Sequence, residues 1–135
     1  MGLRNVINRN RDFYSDIVND ALPPHFDVVV TNPPYSGDHK SRLLAFLSSP
    51  AARGKPFALL LPAYTANKSY WRSYVDSGSP SNSAHTAYLM PPTSYEYTHP
   101  EGTGKGAPPF YSCWFLGKFP PNEALVRIYI HVLIY

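Results

Sequence analysis

The stretch "DVVVTNPPYSGDHK", residues 27–40, decides the reading of this chain. Three valines run into Thr31 and are then cut off by Asn32-Pro33-Pro34-Tyr35. A continuous β-branched run is the pattern of a parallel strand buried on both faces. Two prolines cannot donate to a sheet ladder, so the strand must end there. A helix is predicted to follow, with Leu43, Leu44, Phe46 and Leu47 on one face and Gly54 as its stop.

Further out, the same alternation repeats. "PFALLLPAYT" reads as a second buried strand ended by Pro62, and "NKSYWRSYVDSGS" as an amphipathic helix built on Tyr70, Trp71, Tyr74 and Val75. Trp71 and Tyr74 are expected in the core. "TAYLMPP" and "FYSCWFLGKF" are short strands, and "ALVRIYIHVLIY" is a fifth. Upstream, Val6-Ile7 is a short strand leading to a loop at Asp12-Phe13. "SDIVNDALPPHF" is then a helix stopped by Pro23-Pro24. Between the strands, residues 93–109, rich in Gly, Pro and Tyr, are read as a mobile loop. Strands alternating with helices predict one α/β domain over residues 1–135, with a mostly parallel sheet and helices on its faces.

Bulk properties fit that frame. The chain has 135 residues, enough for one domain with a modest core. Charged residues are 16% and aromatics 15%, which argues for packing rather than disorder. The formal charge of +3 permits a nucleic-acid partner without demanding one. The single Cys113 allows no internal disulfide and fits a reducing compartment. No leader pattern and no apolar run of bilayer length stand out, so an intracellular protein, in cytoplasm or nucleus and without a membrane partner, is expected.

The chemistry lies in the flanks of the turn, since the chain holds five Pro-Pro pairs. In α/β sheets the carboxyl ends of strands are where ligands bind. Prolines hold the turn rigid, Asn32 adds an amide oxygen, and Tyr35 adds a flat ring. Two fixed acceptors suit an –NH₂ group. Asn32-Pro33-Pro34-Tyr35, after an apolar strand and the acidic Asp27, resembles the signature of S-adenosylmethionine-dependent amino methyltransferases. That resemblance implies a partial Rossmann-like methyltransferase sheet with one antiparallel strand, Phe110 to Gly117. It implies that Asn32 and the Pro33 carbonyl bind the amine, that Tyr35 stacks on its base, and that Pro34 completes the motif. "RDFYS" resembles the family's Asp-Phe element, so Asp12 and Phe13 are expected at the cofactor's adenine; the alternative is Asp12 capping a helix. Adenine N6 in DNA or RNA is the first expected target. Protein glutamine or a guanine amino group is an alternative.

One part of the pattern is missing. The family's cofactor site needs a glycine-rich turn opening a helix. Gly102, Gly104 and Gly106 follow no buried strand, and Pro108-Pro109 forbids a helix after them. The resemblance therefore covers the catalytic second half of the family's domain. This opens the alternative of a truncated, non-catalytic remnant serving as a binding or structural module. Asp38 and His39 either touch substrate or cap the next helix, and Lys105 is a candidate contact to a nucleic-acid backbone. The five histidines have no metal-ligand spacing. With the glycine-loop strand missing, Val28 to Thr31 would form an open edge. That edge is expected to pair in a homodimer, or to recruit Arg127 to Tyr135. The isolated chain is expected to bind S-adenosylmethionine weakly or not at all.

Overall fold

A computed structural model describes residues 11–77, 86–92 and 110–119, and the backbone of 133–134. Helix α1 spans Phe13–Val18, strand β1 Val29–Thr31, helix α2 His39–Ser48 and strand β2 Phe57–Pro62. A 3₁₀ turn, Ala63–Asn67, leads into α3, Ser69–Ser77. Strands β3 (Ala87–Leu89), β4 (Ser112–Gly117) and β5 (Leu133–Ile134) complete the order.

The strands form one mixed sheet in the order β3-β4-β2-β1-β5. Strand β1 is parallel to β2 and to β5, while β4 is antiparallel to both β2 and β3. Thus β4 alone runs against the rest, as expected of the Phe110 to Gly117 segment. The outer edge of β1 is covered by the chain itself: Val29 pairs with Leu133 and Val30 with Ile134. Of the two expected ways to fill that edge, this is the second.

Register explains the core. Phe57, Leu59 and Leu61 alternate onto one face of β2, and all three are buried. There they meet Leu43 and Leu47 of α2, Trp71 and Tyr74 of α3, and Phe115 of β4. Helix α1 joins the same cluster through Phe13 and Ile17.

Three boundaries differ from the sequence reading. Helix α1 begins at Phe13, not in the "SDIV" stretch, because Asp12 caps it: its carboxylate accepts from the Tyr14 and Ser15 amides. It ends at Val18, capped by Asn19 before the prolines, and Asp20 adopts a positive φ of 51°. Helix α2 ends at Ser48 because Pro50 cannot continue it; Gly54, with φ of 83°, serves the turn beyond. The expectations for Val6-Ile7, for the loop at 93–109 and for most of the last strand lie outside the described residues. Among the described residues, no helix is long and apolar enough to cross a membrane.

Candidate active site

Asn32-Pro33-Pro34-Tyr35 leaves the sheet at the carboxyl end of β1. Beside it lies a cleft of about 350 Å³, lined by Arg11, Asp12, Phe13, Tyr14, Thr31, Asn32, Pro33, Pro34, His39 and Leu43. Both sequence elements singled out for chemistry, Asp12-Phe13 and Asn32-Pro33-Pro34, therefore share one wall-to-wall space. They belong to different segments, and packing brings them together.

That packing is specific. Phe13 and Phe46 of α2 pack T-shaped, with ring centroids 5.1 Å apart at 88°. The Tyr14 hydroxyl donates to the His39 carbonyl at 2.7 Å. The Arg42 guanidinium lies 4.4 Å from the Tyr14 ring centroid, a cation–π geometry. Burial pushes the Tyr14 phenol above its ordinary range, so it stays a donor. At the mouth, Arg11 pairs with the buried Asp16 at 2.6 Å. Helix α1 is thus pinned to the start of α2, which holds Asp12 in the cleft that the proline turn also lines.

Asp12 holds two places at once. One oxygen, Oδ1, accepts from Tyr14 N at 2.9 Å and Ser15 N at 3.2 Å. The Ser15 amide, then its hydroxyl and the Tyr14 amide, hold the carboxyl below its ordinary value. The residue is exposed at the cleft wall. So the capping reading holds, and the side chain is an anion at neutral pH facing the cleft.

Tyr35 behaves differently from a free stacking surface. Its hydroxyl donates to Asn32 Oδ1 at 2.7 Å and lies 3.2 Å from the Leu60 carbonyl. Its ring packs T-shaped with that of Phe110, centroids 5.5 Å apart. The Tyr35 carbonyl in turn accepts from Lys40 Nζ, whose pKa is lowered by burial. The effect is to lock the Asn32 amide with its oxygen toward Tyr35. An sp² oxygen has two lone pairs, so one acceptor position on Asn32 is left for a ligand N–H.

His39 lines the cleft, whereas Tyr35 and Asp38 are not among its walls. Asp38 occupies the cap position of α2 without a side-chain cap bond. Lys105 lies outside the described residues. Sequence reasoning missed Arg11, Tyr14, Thr31 and Leu43. Tyr14 carried a signal, since it adjoins the Asp-Phe pair. Arg11 is announced only by its partner Asp16, five positions on. In comparisons with protein-family models, curated proteins and solved structures, nothing matches the chain.

Proposed function

We propose that this chain carries the catalytic turn of an S-adenosylmethionine-dependent amino methyltransferase, with adenine N6 of DNA or RNA as its first target. The observation that carries the reading is the shared cleft, lined by an acid and an aromatic ring, Asp12 and Phe13, together with Asn32-Pro33-Pro34. The sheet adds support. The turn leaves a β-branched strand flanked by a parallel neighbour, and an antiparallel strand lies beyond that neighbour, the order that a Rossmann-like methyltransferase sheet has around its catalytic strand.

The residues present suit the cofactor's adenine end. Phe13 lines the cleft with an aromatic ring, and Asp12 with an acceptor for an N–H group. When bound, S-adenosylmethionine supplies an electrophilic methyl group. This chain's own part is orientation. Asn32 Oδ1 and the Pro33 carbonyl accept the two hydrogens of the substrate amine. That draws the nitrogen lone pair out of conjugation and aims it into the cleft. No strong base is required, because the nitrogen loses its proton only after it has gained the methyl group.

Transfer of labelled methyl from S-adenosylmethionine to DNA, RNA and protein, by the chain joined to a segment that carries a glycine-rich cofactor turn, tests this. Activity of the joined chain on one of them, lost in Asn32→Ala, is the expected result; the chain alone is expected to be inactive. Transfer that survives Asn32→Ala overturns the role of the turn. A second reading, a binding or structural module without catalysis, has one observation in its favour: among the described residues, no glycine lines the cleft. Calorimetry that detects no cofactor binding by the joined chain, together with no transfer to any substrate, favours that reading.

A further inference from the structure

We propose that Tyr64, with Phe110 and Lys68, forms a stacking platform for an unpaired nucleobase beside the turn, so that the chain engages its substrate as a single strand. This rests on the nucleic-acid reading above and names the form of the substrate. The observation is a line of rings running outward from Asn32. Tyr35 touches Phe110 edge-on at 5.5 Å, and Phe110 touches Tyr64 edge-on at 6.0 Å. Tyr64 follows the end of β2, whose neighbour β1 ends in the proline turn. It is 45% exposed, in contrast to the buried rings of Trp71 and Phe115.

A second exposed ring lies close by. Tyr111 is 67% exposed, and its carbonyl accepts from Ala63 N at 2.7 Å. That bond ties the start of β4 to the start of the 3₁₀ turn. Lys68 completes the surface, with its Nζ 5.5 Å from the Tyr64 ring centroid. Among the described residues, the ion pair formed is Arg11–Asp16, and Lys68 has no carboxylate partner.

Exposed aromatic rings next to a cation that meets no carboxylate among the described residues are what a nucleotide with an uncovered base needs. The base stacks on the ring, and its phosphate meets the ammonium. A duplex cannot use such a platform without opening, because neighbouring pairs cover its base faces. Nor does this surface need to read sequence, since every base has a π-face.

The test is fluorescence anisotropy of the full chain with a labelled single strand of about a dozen nucleotides, the matching duplex, and an acidic peptide. The single strand is expected to bind more tightly than either. Tyr64→Leu keeps apolar bulk against Phe110 but removes the stacking face. It should weaken single-strand binding between about five- and 150-fold, and Tyr64→Phe should retain it. Lys68→Ala should lower the salt slope of single-strand binding by about 0.7. Equal binding by duplex or peptide, no binding of the strand, or a strand affinity indifferent to Tyr64→Leu overturns the proposal. If Tyr64→Leu does not melt like the parent chain, Lys68→Ala decides, and an unchanged salt slope is the overturning result. These readouts need no methyl transfer, so they fail separately from the catalytic reading.

Discussion

The Tyr35 hydroxyl donates to the side-chain oxygen of Asn32 at 2.7 Å, and so the aromatic residue of the turn orients its amide. If the ring acted only by stacking, Tyr35→Phe would be silent. The bond argues otherwise. Without it the Asn32 amide can turn, presenting nitrogen where an acceptor is needed. We expect Tyr35→Phe to lower methyl transfer by the joined chain about fivefold, the equivalent of one hydrogen bond of about 1 kcal/mol. Turnover by the variant at the parent rate would show that orientation of Asn32 does not depend on this hydroxyl.

Asp12 gives a pH signature. Its carboxyl is held below the ordinary value of 3.8, first by the Ser15 amide. A carboxyl with a depressed folded-state pKa contributes stability above its unfolded value. That contribution is lost as pH falls through the lower, folded value. Asp12→Ala should therefore melt below the parent chain near neutrality. The gap should close as pH falls below 3.8. A melting difference that is constant across this range would mean that the charged cap does not stabilise α1.

Much of this site was legible because it is local. Asn32 to Tyr35 announces itself by two prolines after a β-branched strand, and Leu43, Leu44, Phe46 and Leu47 by helical spacing. The order of the strands was harder to read, yet β4 runs antiparallel as the resemblance implied. What escaped the sequence is what packing decides. Nothing in "RDFYS" states that Tyr14 will reach His39, or that Asp12 will cap α1 from the wall of a cleft. Nor could spacing tell that the Tyr35 hydroxyl would turn back to Asn32 rather than leave its ring free. Helix boundaries slipped where single residues override periodicity, as Asp12 does at one end of α1 and Asp20 at the other.

Gly117 was not singled out in the sequence, and the structure gives it a task. A Cβ there would stand 2.1 Å from Phe57 Cζ. Phe57 cannot retreat, since it is 1% exposed and set edge-on to Trp71 and Tyr74. Gly117→Ala should destabilise the fold by about 1–3 kcal/mol through overpacking. A lower urea midpoint at unchanged slope is the expected observation. An unchanged midpoint would mean that the β2–β4 ladder can shift at that rung.

The last prediction concerns the outer edge of β1. Val29 and Val30 pair with Leu133 and Ile134 there, while β2 covers the other side. Val28 to Thr31 holds three β-branched valines and no proline, so once uncovered it is a strong template for another strand. Removing residues 127–135 uncovers it. Light scattering behind size exclusion should then show a mass that rises with protein concentration, whereas the intact chain stays at one mass. Val30→Lys in the shortened chain places a charge on the bare edge and should return it to the monomer. A homodimer through this edge is accordingly expected of the shortened chain and not of the intact one. A shortened chain that remains monomeric would mean that the edge does not pair with a second copy. An intact chain that forms a discrete dimer would mean that β5 yields its place to the partner's strand.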